Sequence, residues 1–140
     1  MGAKSCQDLR MANVLLPNKD RNIAGASINP GAVLEAVEFL ELERPVEIKW
    51  AAGIRRRGAH RNQTEGHVIT VSTYLDAEQL NITLLHELIH AAQAERFDSR
   101  REWAVAYHSE SRRVGYHRNQ YEVEARELAD DFSKDFNLAR

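Results

Sequence analysis

Cysteine is nearly absent from this chain: Cys6 is the single one in 140 residues. One thiol cannot close an internal disulfide, so the fold does not depend on an oxidising compartment, and a multi-cysteine zinc knuckle is excluded. A dominant charge is also missing. Nineteen Lys and Arg stand against 21 Asp and Glu, a formal net charge of −2. No global basic field therefore advertises nucleic acid or an anionic membrane as a partner. Apolar runs are only a few residues long, too short for a membrane-spanning helix. The opening MGAKSCQDLR lacks the apolar core of a signal peptide, which makes the cytoplasm the default expectation. Internal repeats and low-complexity tracts are lacking as well. What remains is 43% hydrophobic and 29% charged, the composition of one soluble globular domain that can hold a core without staples.

The pattern along the chain predicts an α+β domain over 29–140, preceded by a weakly patterned arm over 1–28, expected to be partly disordered. Within the arm, Pro17-Asn18-Lys19-Asp20 reads as a turn. Asn29 and Pro30 suit the cap and first position of a helix to about Glu43, closed by Pro45. Val46–Trp50 alternates like a half-buried strand. The segment from Gly53 to Gly66 reads as a loop or hairpin connection. His67–Ser72 is rich in β-branched residues and reads as a second strand. Asp76 and Gln79 form a capping box for a helix to about Phe97. A less clearly patterned helix covers 100–113, Gly115 breaks it, and a last helix runs from about Asn119 to Phe136.

Residues 86–90 read His-Glu-Leu-Ile-His. Helix positions four apart share a face, so His86 and His90 can grip one ion. Glu87 beside them can take the proton of a water that the ion activates. At about 100° per residue, Thr83, His86, Glu87, His90 and Ala94 fall in one sector. Ile82, Leu85, Leu88, Ile89 and Ala92 fall in the opposite one. The expectation is a buried apolar face and a ligand face turned to a cleft.

A catalytic zinc takes three protein ligands and keeps one position open. A third histidine six residues after the second is excluded, because Arg96 stands there. Downstream candidates are His108, His117, Glu122 and Glu124. The last helix has an apolar stripe through Tyr121, Ala125, Leu128, Ala129, Phe132 and Phe136. Glu122 lies at the edge of that stripe, where a carboxylate is costly unless paired or bound to metal, whereas Glu124 and Glu127 point away. Geometry thus favours Glu122, with His117 next.

The two segments together resemble the gluzincin metallopeptidases, in particular their minimal members, the minigluzincins, including small phage and prophage proteins. His86, Glu87, His90, Glu122 and Ala125 match a His-Glu-x-x-His helix followed by a Glu-x-x-Ala helix, over about residues 67–133. The resemblance implies a small zincin-like α+β domain. In it a short sheet packs against the active-site helix, and a C-terminal helix brings the third ligand, Glu122, to one zinc ion. It implies hydrolysis of a protein or peptide substrate, in a host cytoplasm or virion if the chain is phage-encoded. It also implies that residues 67–72 offer a free strand edge to an extended peptide, through Val68, Thr70 and Ser72. His-Glu-Leu-Ile-His-Ala-Ala-Gln is similar, too, to SprT-like peptidases acting on DNA-bound proteins. Those use a third histidine, which here would be His108 or His117, and the Glu-x-x-Ala segment argues against them.

In this reading Glu87 is the general base. The oxyanion donor comes from Tyr107, His108, Tyr116, His117 and Tyr121, with a mild preference for His117, just before the ligand helix. Asp98, Glu102 and Glu124 are candidates to orient the histidines. The basic cluster of Arg55, Arg56, Arg57 and Arg61 with His60 reads as a solvated loop in preference to a nucleic-acid contact, because no aromatic residues are interleaved to stack on bases. A competing reading is a non-catalytic metal-binding virion or accessory protein, whose mark would be a buried site with no cleft beside it.

Overall fold

The computed structural model describes residues 13–52 and 56–140, so Cys6 and Arg55 lie outside the described residues. The elements are β1 (Val14–Leu15), α1 (Pro30–Phe39), β2 (Val46–Ala51), β3 (Gly58–Gln63), β4 (Gly66–Ser72), α2 (Ala77–Glu95), α3 (Arg100–Val114) and α4 (Gln120–Phe132). This is the expected α+β class. Local chemistry sets the helix starts. Asn29 caps α1 with Pro30 at its first turn, and Asp76 and Gln79 form the reciprocal box that opens α2. Ser99 and Asn119 cap α3 and α4. The last helix ends at Phe132, earlier than expected.

The sheet has the order β1-β2-β4-β3, with β1/β2 and β2/β4 parallel and β3/β4 antiparallel. Two sequence expectations change here. The segment expected as a connection contains β3, paired residue for residue with β4 from Gly58↔Val71 to Gln63↔Gly66. In consequence β4 is hydrogen-bonded on both sides, and Val68, Thr70 and Ser72 have no free edge to offer. Among the described residues, no strand pairs with the outer edge of β3. The short turn at Thr64 and Glu65 ends on Gly66, where a methyl group would lie 2.4 Å from the Pro45 carbonyl oxygen. Only glycine lets the chain enter β4 there.

One face of the sheet, with Val46, Ile48, Ile69 and Val71, packs with Leu80, Leu84, Leu85 and Leu88 of α2 and with Val33 and Val37 of α1. Each fully buried side chain of this kind contributes about 1.5–3 kcal/mol. The α2 helix is covered nearly all round. Its ligand-bearing face is buried as well as its apolar one, and Ile82 lines the cleft instead of the opposite side.

The described part of the arm joins the fold. Val14–Leu15 extends the sheet, Arg21 bridges to Ser27 and Ile28 to Ala139, and Ala26 is buried. The C-terminal segment is held by Asn81 of α2. Its side chain accepts from the Leu138 amide at 2.6 Å and donates to the Phe136 carbonyl at 3.0 Å. That grip keeps Leu138 fully buried against α2. Among the described residues, no helix is long and apolar enough to cross a membrane.

Candidate metal centre

Three helices meet at one point. From α2, His86 and His90 turn their Nε2 atoms to a single oxygen, Glu122 Oε1 on α4, at 3.0 and 3.1 Å. The second oxygen of Glu122 accepts a hydrogen bond from the Tyr107 hydroxyl on α3. Glu122 is only 3% exposed. The three donor atoms lie within 4.8 Å of one another, the only such group among the described residues.

The α3–α4 junction fixes Tyr107 and Glu122 relative to each other. The Asn119 amide donates to the Tyr107 carbonyl at 3.1 Å and to Ser111 Oγ at 2.9 Å, while its oxygen caps the Tyr121 amide. Glu110 accepts from the Gln120 amide at 3.1 Å. At the helix crossing, Ala125 and Ala129 are fully buried, and these small residues let α4 approach α2 closely.

Gln93, fully buried and one turn after His90, determines what the centre needs. Its amide nitrogen donates to the Tyr121 carbonyl at 2.8 Å and to Glu124 Oε1 at 2.9 Å. Its oxygen is thereby left facing His90 Nδ1 at 2.7 Å. That contact puts the ring proton on Nδ1 and turns the Nε2 lone pair towards Glu122 Oε1. Two acceptors 3.1 Å apart repel unless a cation lies with them, either a proton on Nε2 or a metal ion. Burial opposes charge on His90, but the hydrogen bond and charge of Glu122 outweigh it, and the pKa of His90 is raised. Burial likewise pushes Glu122 up, and the hydrogen bonds from His86 and His90 more than offset it, leaving the carboxyl well below its usual range.

The donor set is one that could hold a metal ion. Neighbouring ligands on tetrahedral zinc, with bonds of about 2.0–2.2 Å, stand about 3.3–3.5 Å apart. The observed 3.0 and 3.1 Å differ from that by only a few tenths of an ångström. Two imidazoles and a carboxylate are also ligand types that zinc accepts.

The centre lies in the wall of a cleft of about 840 Å³, lined also by Glu87, Trp103, Tyr107, His108 and Tyr116. Glu87 is 6% exposed, and burial raises its pKa against the pull of His90 and His86. Gly58 at the start of β3 packs on this residue. A methyl group there would come 2.6 Å from Thr83 Cγ2 and 3.3 Å from Glu87 Cγ.

The oxyanion candidates divide. Tyr107, His108 and Tyr116 line the cleft, whereas His117 and Tyr121 do not. His117 is exposed, and its carbonyl accepts from Arg126 at 2.6 Å, so the preference for it is corrected. The Tyr121 ring packs with Phe97 and Trp103. Of the candidates for orienting the histidines, Glu124 acts one step away, through Gln93. Glu102 instead accepts from the Asp98 amide at the start of α3.

A second histidine pair escaped the sequence reading. The Glu95 carboxylate accepts from His67 Nε2 at 2.7 Å, and His67 Nδ1 lies 2.9 Å from His60 Nε2. Glu95 also accepts the Glu43 and Arg44 amides at 2.9 and 3.1 Å. His60 stacks towards His90, and burial, with the nearby His67, His90 and Arg44, lowers its pKa to about 3. It is a neutral ring in the cleft wall. Arg56 and Arg57 are exposed residues of the loop before β3, as expected, whereas Arg61 lies within β3; all three line the same cleft.

Comparisons of the chain with protein-family models, with curated proteins and with solved structures find no match in any of the three.

Proposed function

We propose that this chain is a zinc-dependent metallopeptidase of gluzincin type, with His86, His90 and Glu122 as metal ligands and Glu87 as general base. One observation carries the reading. Glu122 Oε1 meets both imidazole Nε2 atoms in the wall of an open cleft, with Glu87 beside them. A purely structural site needs neither the cleft nor Glu87, which disfavours the accessory-protein reading. Contact of a carboxylate with both histidines, and not of His108 or His117, disfavours the SprT-like one.

When bound, zinc supplies Lewis acidity, lowering the pKa of a water and polarising the scissile carbonyl. Glu87 takes the proton of the attacking water and hands it to the leaving amine. Burial raises its pKa, which makes it a stronger base towards that water. Tyr116, whose hydroxyl stays protonated because burial and the charges of Glu122 and Glu87 raise its pKa, donates to the developing oxyanion. Tyr107 is committed to Glu122 and holds that ligand in place. His90 is oriented by Gln93.

The test is hydrolysis of a quenched fluorescent casein by zinc-loaded protein. Wild type should cleave, and Glu87→Gln should retain zinc while losing at least about a hundredfold in rate. Equal rates would remove Glu87 as base, and no cleavage by the loaded wild type on casein or on peptide pools would remove the peptidase reading.

A further inference from the structure

The chain carries slightly more acidic than basic residues, yet its cleft does not. Arg56, Arg57 and Arg61, from β3 and the residues leading into it, line one wall. Arg100 of α3 and Arg126 of α4 contribute from the helices. The carboxylates in the lining are Glu87 and Glu122, and both belong to the metal centre. Among the described residues none of the five arginines forms an ion pair. The pairs present are Lys49–Glu47, Arg96–Glu124, Arg113–Glu110, Lys134–Asp131 and the histidine contacts. Arg126 reaches only a carbonyl oxygen, that of His117. The charge also extends inward: Arg56 is close enough to act electrostatically on Glu87, Tyr107 and Tyr116.

Uncompensated charges of one sign around a concave surface focus their potential into it and concentrate ligands of the opposite sign. Guanidinium groups match carboxylates with paired N–H donors. The arginines come from both the strand side and the helix side, so acidic side chains on either side of a scissile bond would each meet one. The outer edge of β3, unpaired among the described residues, offers main-chain hydrogen bonds to an extended chain that would hold it along this wall.

Resting on the peptidase reading, we propose that the cleft selects an acidic polypeptide segment, with Asp or Glu flanking the bond to be cut. The arginine side chains act as specificity determinants and not as a nucleic-acid surface. The guanidiniums gather round the hydrolytic centre, while the net charge of −2 leaves no broad basic field for a polyanion.

The test uses zinc-loaded Glu87→Gln protein, so that binding is read without turnover. Three fluorescein-labelled peptides of one length, flanked by Asp/Glu, by Gln/Ser or by Lys/Arg, and a labelled single-stranded oligonucleotide are compared by anisotropy. The acidic peptide should bind at least about tenfold tighter than the neutral one, weaken with added salt, and lose that advantage in Arg56→Gln/Arg57→Gln/Arg100→Gln. The zinc content and circular dichroism of the triple variant show whether the fold is kept. If it is not, Arg100→Gln alone, at the exposed first position of α3, should halve or further reduce the preference. Equal binding of the acidic and neutral peptides, or an oligonucleotide that binds more tightly and displaces the acidic peptide, would overturn the proposal. Because the readout is binding, failure here leaves the hydrolysis result with casein standing, and failure of hydrolysis leaves this one readable.

Discussion

Replacing Gln93 by leucine should weaken metal binding without touching a ligand. The side chain is fully buried and makes three hydrogen bonds: from His90 Nδ1 to its oxygen at 2.7 Å, and from its nitrogen to Tyr121 O and Glu124 Oε1 at 2.8 and 2.9 Å. Leucine fills similar volume and makes none. Glu124 is partly exposed and can recover water, and the Tyr121 carbonyl keeps its bond within α4, but the His90 Nδ1–H is left without a partner. With that one buried donor stranded, the metal-free protein should lose about 1–3 kcal/mol of stability. The ring also loses what holds its proton on Nδ1. Loss of such an orienting partner costs about 10- to 100-fold in metal affinity, or about 1.4–2.7 kcal/mol. Urea denaturation reads the first quantity, and competition for zinc against a chromophoric chelator reads the second. Gln93→Leu protein that binds zinc as tightly as wild type would refute the assignment of the His90 tautomer, and with it the argument that Nε2 requires a cation.

Three further perturbations have defined outcomes. Gly58→Ala should cost about 1–3 kcal/mol by overpacking, since its methyl would lie 2.6 Å from Thr83 Cγ2; adding Thr83→Ser, which removes that carbon, should restore most of the loss in a thermal melt. Tyr107→Phe frees the second oxygen of Glu122 and should lower zinc affinity by about tenfold with little change in fold, measured by the same chelator competition. A folded-state pKa for His60 of about 3 lies below its unfolded value of 6.5, so the unfolded chain binds the proton first. The stability it contributes is present above pH 6.5 and is lost as pH falls towards 3, with a slope of up to about 1.4 kcal/mol per pH unit. Denaturation of metal-free protein across that window should show the slope, and His60→Phe should flatten it. An unchanged slope would place the titration elsewhere.

Where one-dimensional pattern and local chemistry act alone, the sequence was readable. The α2 helix has both a capping box and a sustained period, and His86, Glu87 and His90 follow from residue spacing on one helix. Glu122 was legible because a carboxylate in an alanine-bordered stripe needs a partner. The β3 strand was not, because Gly58-Ala59-His60-Arg61-Asn62-Gln63 has no β-branched residue and no alternation. It is a strand because β4 supplies its hydrogen bonds, a tertiary cause. The available signal was Gly66 opening the well-patterned β4 a short turn after it. Missing β3 also misplaced the free edge and hid the arginines' position on the cleft. Gln93 has no motif position that marks it as functional. An amide one turn after His90, among the alanines that close the helix, was the clue to its role. The pairing of His60 with His67 depends on strand register, which composition does not encode. The two-residue strand β1 gains its place from β2 and has no pattern of its own.

The most direct check is the metal content of three purified proteins after zinc loading and gel filtration: wild type, Glu122→Ala and His117→Ala. The account predicts about one zinc per chain in wild type and in His117→Ala, and a large loss in Glu122→Ala. Full zinc in Glu122→Ala, or loss in His117→Ala with wild-type folding by circular dichroism, would contradict it.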